Sequence, residues 1–480
     1  MATLLTPDGR TSFAEVERRA LEHAAEVSAL GVRPGDRVAL KAANSAEWVA
    51  WFLGLAHAAA SIVLVDPRTP HALTTRRLAS TGAELLVTDE PGPWLGRILP
   101  VLTCGRTTSG DDASPSGILD LERWCALPDA LVMASGGSTG EPKPVAKSGT
   151  AFLANLEANI EAMGHRSDDV FWPILPLPHQ YGLGMAMIAW RLDADLVLCQ
   201  AERIDVGLRL AGPAGVSVVD GIPTTWRTLL ALAERRWDVA RALEKVRLPC
   251  SGAAPLPPAL AEQGRRRFGV PLLDSYGSTE LGNLTFAVPD CPTACGPPVR
   301  GVRIEVRAGD GSSLPAGRMG EIHVSYEHVM SGYLVNDRID PVEVVNGWCP
   351  TGDLGSLDAD GALHVIGRAE VLGRGPTRIY PAAVEHCLRE AGAPGGVVVL
   401  GDQRRGRLVC FAEARSEDQQ RLVRRLVETV CVGEEAIDDL RLLAGIPTNL
   451  NGKPDRAALL RRLNRDDPAC LGRGIGQDAS

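Results

Sequence analysis

The spacing of apolar and polar residues changes repeatedly along the chain. The stretch "TSFAEVERRALEHAAEVSALG" has helical spacing, with Thr11 or Ser12 as its cap and Gly31 as its stop. "DRVAL" then reads as a strand. "WVAWFLGLAHAAASIVLV", Trp48 to Val65, is 18 residues without a formal charge, which reaches the length of a membrane span. It contains Gly54, His57 and Ser61, and an Ala-rich helix former gives way halfway to the β-branched "SIVLV", closed by Asp66-Pro67. That change predicts a buried helix followed by a buried strand, and no transmembrane segment. "AELLVTD", "VFWPILP", "ADLVLC", "VSVVDGIP" and "VPLLDSYGS" follow as apolar strands separated by helical stretches. The alternation predicts an α/β fold with mostly parallel sheets, in which ligands gather beyond the carboxyl ends of the strands.

From about Gly301 the texture changes. "RIEVRAGDGSSLPAGRMGEIHVSY" and "GALHVIGR" read as short strands with Gly/Pro turns, a small β-subdomain. After Arg368, "AAVEHCLREAG", "GGVVVLGD", "RLVCFAEA" and "DQQRLVRRLVETVC" predict a compact α+β domain of about a hundred residues. The last stretch, "RDDPACLGRGIGQDAS", is expected to be disordered.

Composition narrows the class without deciding it. A chain of 480 residues, 45% apolar and 23% charged, is long enough for two or more cored domains. A net charge of −9 with no long basic run argues against a nucleic-acid footprint. The 11 cysteines are scattered, and the closest pair, Cys291 and Cys295, lacks a second pair at zinc-site spacing. They read as reduced thiols, and "MATLLTPDGR" has no charged-then-apolar signal pattern, so a cytoplasmic location is expected.

The candidate chemistry starts at "MASGGSTGEPKPVAKSG", Met133 to Gly149. Such a cluster of Gly, Ser and Thr also suits a plain flexible loop. Its glycines, hydroxyls and lysine equally suit phosphate, because backbone N–H groups can approach closely and the cation adds charge. The Walker pattern is absent: Gly140 is followed by Glu141 and Pro142, and only then by Lys143. A proline there suits a turn better than the interior of a helix.

Further strings follow in order: "PLPHQYG" (Pro176 to Gly182), "DGIPTTW" from Asp220, "SGAAPL" from Ser251, "YGSTE" (Tyr276 to Glu280), "TGDLG" (Thr351 to Gly355), "GR" at Gly367-Arg368, and "PTNLNGKPDRAAL" around Lys453. Upstream stand "GVRPGDRVAL" and "NSAEWVAWFLGLAHA". Together they resemble the adenylate-forming superfamily of acyl-CoA synthetases, peptide-synthetase adenylation domains and luciferases, over about Thr11 to Leu463. The resemblance implies an N-terminal domain over 1–368, a hinge at 369–370, a small mobile lid over 371–464, and a tail over 465–480. It also implies ATP- and Mg²⁺-dependent attack of a small-molecule carboxylate on the α-phosphate, with pyrophosphate leaving. The acyl-adenylate then passes to a thiol of CoA or of the phosphopantetheine of an acyl carrier protein.

The same resemblance assigns the residues. Ser135, Gly136, Ser138, Thr139, Gly140 and Lys143 match the loop that grips the β- and γ-phosphates. Thr279 matches the α-phosphate contact, and Glu280 the Mg²⁺ carboxylate, an oxygen ligand that suits a hard cation. Tyr276, with Gly277 beside it, would lie against the adenine, and Gly252, Ala253 and Ala254 would form the other wall. Asp353 and Arg368 match the ribose contacts, and Lys453 the lid lysine that bridges the substrate carboxylate and the α-phosphate. His179 matches a gate to the acyl pocket, with Gly182 nearby. No aspartate stands where amino-acid-activating members meet the substrate ammonium, which favours an aryl or aliphatic acid.

The hinge departs from the family. Glu370 replaces its aspartate, the run to Arg378 is one residue short, and Pro376 stands where glycine is usual, although Pro381 and Glu385 still fit. Pro144 also replaces a glycine of the phosphate loop. In thioester-forming members of the family it resembles, this loop lines the pantetheine tunnel, where proline is a stiff substitute for glycine and lacks an N–H, so transfer to an amine stays open beside transfer to a thiol. A catalytically silent nucleotide- or acyl-binding relative is the reading from another class.

Overall fold

The computed structural model describes residues 2–91, 99–105, 117–135, 142–292, 294–374, 377–403, 405–448 and 454–465. The first helix, Phe13–Ala29, is capped as its sequence expects: the Ser12 hydroxyl accepts the Glu15 N–H at 3.2 Å. Gly31, just past its end, takes a φ of 90°. The uncharged stretch from Trp48 divides into the helix Ala46–His57 and the strand Ser61–Leu64. Among the described residues, no helix is long and apolar enough to cross a membrane.

Among the described residues, two large sheets carry the first two-thirds of the chain. One runs in the order Leu248–Ser251, Val218–Gly221, Val170–Pro173, Asp195–Val197, Thr3–Thr6, Gly9–Ser12, and is parallel except for its last pair. The other runs Arg338–Asp340, Gly332–Val335, Pro144–Lys147, Leu131–Ala134, Ser61–Leu64, Arg37–Lys41, Leu85–Thr88, Val101–Thr103. It is parallel from Leu131–Ala134 onward and antiparallel on the other side. The expected strand "VPLLDSYGS" does not join a parallel sheet. Leu273 makes one isolated bridge to Cys250, and Ser275–Ser278 then turns into an antiparallel hairpin with Gly282–Phe286.

The inward faces of both sheets share one apolar cluster, and the helix Ala46–His57 lies within it, buried along nearly its whole length. It approaches Phe13–Ala29 closely enough that a Cβ on Gly54 would lie 2.5 Å from the Ala20 carbonyl oxygen. Near this contact the His23 and Trp51 rings stack at 3.8 Å. Just before this helix, Asn44 ties the two sheets together. Its amide NH₂ donates to the carbonyls of Leu175 (2.9 Å) and Cys199 (3.1 Å), and its oxygen accepts the Leu177 N–H at 2.9 Å.

The later chain forms an antiparallel sheet in the order Arg303–Arg307, Gly320–Ser325, Cys349–Leu357, Leu363–Arg368. A hairpin, Leu372–Arg374 with Thr377–Ile379, follows, then a three-stranded sheet of Val397–Asp402, Arg407–Glu413 and Asp439–Leu443. This last sheet has its own apolar cluster around Leu372, Val384, Leu388, Val399 and Cys410. The helix Pro381–Glu390 packs back on the preceding sheet through Ala382, against Leu354 and Ile366. The tail beyond 465 lies outside the described residues.

The Asn44 bracket gives a direct test. Asn44→Ala strands two carbonyls and one N–H, and should lower unfolding stability in denaturant titrations by about 1–3 kcal/mol.

Candidate active site

The strands Leu131–Ala134 and Pro144–Lys147 pair antiparallel, so the Gly/Ser/Thr loop joins two strands and opens no helix. At its base the Ser135 N–H donates to the Lys143 carbonyl (2.8 Å), and the Lys143 N–H donates to the Ser135 hydroxyl (2.9 Å). Gly136, Ser138, Thr139 and Gly140 lie outside the described residues. Pro144 is the first residue of its strand, a position where a missing N–H is tolerated. The Lys143 ammonium sits 4.9 Å from the centre of the Tyr333 ring, and the Tyr333 hydroxyl donates to Glu280 at 3.2 Å. Burial, then the Glu280 charge, pushes the Tyr333 hydroxyl up to about 12. Thr279 and Glu280 occupy the turn of the Ser275–Ser278/Gly282–Phe286 hairpin, and the Glu280 carbonyl accepts the Met330 N–H at 2.7 Å.

A second group gathers around Asp353. The Tyr276 hydroxyl donates to one carboxylate oxygen at 2.7 Å, and the Arg368 guanidinium donates to the other at 3.1 Å. Asp353 and Arg368 are opposite each other on paired strands. Burial first, then the Asp353 charge, drives the Tyr276 hydroxyl well above its usual range. Gly277 and Gly252 are needed for space. A Cβ on Gly277 would lie 2.4 Å from the Gly282 carbonyl oxygen, and one on Gly252 would lie 2.7 Å from the Ser275 hydroxyl and 3.0 Å from the Tyr181 ring. Ala253, the next residue, holds a left-handed φ of 65°, and Ala254 follows half-buried.

A third group lines the start of the helix Gln180–Arg191. His179 precedes it, and its Nε2 lies 2.8 Å from Asp66, at the carboxyl end of the strand Ser61–Leu64. Gly182 lets this turn close, because a Cβ there would lie 2.3 Å from the Pro176 carbonyl oxygen. The Tyr181 hydroxyl donates to Asp220 at 2.8 Å. The other Asp220 oxygen is enclosed without a partner, and burial pushes this carboxyl up to about 7. Tyr181 and Asp220 stand inside strings that the sequence singled out, yet nothing in the strings marked them as a pair. Asp66 carried no sequence signal beyond the end of a strand, and Tyr333 carried none.

Near the C-terminal end, Glu370 is exposed just after the Ala369 N–H, which donates to the Gly352 carbonyl at 2.9 Å. Lys453 and Pro376 lie outside the described residues. The chain after Lys453 is anchored firmly. Arg456 pairs with the buried carboxylate of Glu385 and donates to the Val399 carbonyl at 3.0 Å, and Glu385 also accepts the Val399 N–H at 2.7 Å. Among the described residues, no three His, Cys, Asp or Glu side chains are grouped to hold a metal ion, and Cys295 contacts Asp274 at 3.6 Å rather than Cys291.

Comparison with known proteins gives the family of the chain. A family model described as AMP-binding enzyme matches residues 2–334. A feruloyl-CoA synthase from an Amycolatopsis species is 28% identical, with 94% of each chain covered. A 4-coumarate–CoA ligase from Vanilla planifolia is 26% identical, covering 94% of this chain and 88% of that one. Among solved structures, an amide bond synthetase from Marinactinospora thermotolerans superposes with a TM-score of 0.80 at 26% identity, covering 96% of both chains. An O-succinylbenzoate coenzyme A synthetase from Bacillus subtilis, in complex with AMP, shares the fold, with a TM-score of 0.81 at 24% identity over 95% of each chain.

Among the described residues, one cation near the site has no hydrogen-bond partner. Lys147, on the strand leading away from Lys143, is fully buried, and its ammonium makes no hydrogen bond. Burial pushes it down to about 8, against the opposing pull of the Glu280 charge. Lys147→Met should therefore stabilise the fold, by roughly 1–3 kcal/mol near pH 7. The lysine binds fewer protons when folded, so its penalty fades as pH rises from about 8 to 10.5. Thermal melts of both proteins across that window should converge.

Proposed function

Since this chain belongs to the AMP-binding enzyme family, we propose that it joins a carboxylic acid to AMP at the expense of ATP and passes the acyl group to a thiol, with coenzyme A as acceptor. The observation that carries this reading is the meeting of Tyr276, Asp353 and Arg368 at 2.7 and 3.1 Å. An aromatic face, a carboxylate and a guanidinium supply what an adenine and a ribose diol need. On the neighbouring hairpins, Lys143 and Glu280 face each other across Tyr333.

The reaction sets two anions against each other, so the site must neutralise charge and hold the reactants in line. In this reading Ser135, Gly136, Ser138, Thr139, Gly140 and Lys143 hold the departing pyrophosphate. Thr279 contacts the α-phosphate. Glu280 would present carboxylate oxygen to Mg²⁺, a donor that suits this hard cation, and the ion would supply positive charge against the phosphates. Gly252, Ala253 and Ala254 wall the adenine opposite Tyr276 and Gly277. Lys453 comes into the cleft on the last sheet, which moves about the segment at 369–370, and spans the attacking carboxylate and the α-phosphate. The acid lies beyond His179 and Gly182, with Tyr181 as a further wall. Aryl acids fit best with the relatives, which include a feruloyl-CoA synthase and 4-coumarate–CoA ligases.

Transfer to an amine is the second reading. The likeness to an amide bond synthetase over 96% of both chains favours it, together with Glu370 and Pro376 in the hinge. Pyrophosphate release should be measured over a panel including ferulate, 4-coumarate and 2-succinylbenzoate, then with coenzyme A or primary amines added. Release with at least one acid, and an acyl-CoA product, is expected; tight ATP binding without release from any acid would sink the proposal. Lys453→Ala should lower the adenylation rate about 10²–10³-fold with little change in the KM for ATP.

A further inference from the structure

The imidazole of His179 is set up as a base. Asp66 is buried, yet its carboxylate receives four donors. One oxygen accepts the Arg68 N–H and Nε–H, both at 2.9 Å; the other accepts the Arg68 Nη2 at 2.6 Å and the His179 Nε2 at 2.8 Å. Burial alone would raise this carboxyl, but the Arg68 and His179 hydrogen bonds outweigh it and hold it well below the usual range. An ionised carboxylate can only accept. The Nε2 of His179 must therefore carry the proton, and in the neutral ring the lone pair stands on Nδ1. Nδ1 has no protein partner among the described residues, and the side chain is 27% exposed.

Position gives this lone pair a task. His179 ends the loop after the strand Val170–Pro173, and Asp66 follows Ser61–Leu64, so the pair spans the carboxyl ends of the two parallel sheets. Two residues on, the Tyr181 ring lies against Gly252. The other charges nearby belong to Arg68, itself paired to Glu202 at 2.7 Å, and to Arg77, which feels the Asp66 charge. Arg68 would satisfy Asp66 without any histidine, so the ring is not needed to rescue a buried charge.

We propose that His179 is the general base of the second half-reaction and that Asp66 is its positioning residue, a proposal that rests on the adenylation reading above. The incoming thiol, or an amine in its neutral form, gives its proton to Nδ1 while its sulfur or nitrogen bonds to the acyl carbon. The bond from that carbon to the phosphate oxygen breaks, AMP leaves with the electron pair, and the imidazolium is held by Asp66. Water later removes the proton.

The two half-reactions can be read separately, using the fastest acid of the panel. ATP–pyrophosphate exchange reports adenylation; single-turnover conversion of preformed adenylate with coenzyme A, or with a primary amine, reports transfer. Hydroxylamine, neutral at pH 7 and strongly nucleophilic, serves as an acceptor that needs no base. Asp66→Asn keeps the shape but releases the tautomer. It should leave exchange within about threefold and slow transfer to coenzyme A or the amine about 10²-fold, with hydroxylamine trapping unaffected. His179→Gln, which keeps a donor toward Asp66, should abolish the rise of the transfer rate with pH that the wild type shows. Equal losses in exchange, transfer and trapping would mean a merely structural pair and overturn the proposal, as would transfer at the wild-type rate in His179→Gln. Failure of wild-type exchange with every acid would instead overturn the adenylation reading, and this proposal with it.

Discussion

The site depends first on a single amide. Asn44 uses both its N–H bonds and its oxygen on three backbone groups, in two separate loops that follow strands of the six-stranded sheet, while Asn44 itself follows a strand of the eight-stranded one. Two twisted sheets packed only by apolar side chains could slide, because dispersion and burial have little direction. Three directional bonds at the carboxyl ends fix the register of one sheet on the other. His179 and Asp66 come from opposite sides of that seam, and their 2.8 Å contact is possible only because the seam is held.

Much of the fold was legible in the sequence because local period and burial agree. The helix Phe13–Ala29, with a cap at Thr11 or Ser12, and the split of the uncharged stretch at Ser61 follow from spacing and β-branching, and the structure places the cap at Ser12. "VPLLDSYGS" misled because its apolar half resembles a strand while its second half obeys a tertiary constraint. The close approach of Gly277 to the Gly282 carbonyl folds it into a hairpin, and no local pattern reports a neighbour five residues away. In the site, the quoted strings named Tyr276, Asp353 and Arg368, which the fold gathers around one carboxylate. They could not name pairings such as Asp66 with His179, 113 residues apart, or Tyr333 with Glu280, 53 apart. Residue type at one position carries no trace of its partner across the sheet.

The buried polar groups divide into two kinds. Asp66 and Glu385 are surrounded by donors and contribute order. Lys147 and Asp220 are enclosed with bonding capacity unused, and each has its ionisation drawn toward the middle of the pH scale by burial. Groups of the second kind cost stability.

In the proposed function, the Glu385–Arg456 pair would fix the reach of the catalytic arm, Lys453. Only Pro454 and Asp455 stand between Arg456 and Lys453, a tether of at most about 10 Å even when fully drawn out. On that proposal the lysine would have little slack with which to search for its target. It would arrive and leave with the sheet that holds Val399, to which Arg456 is tied, so activation should behave as a latch with two positions rather than as a graded response.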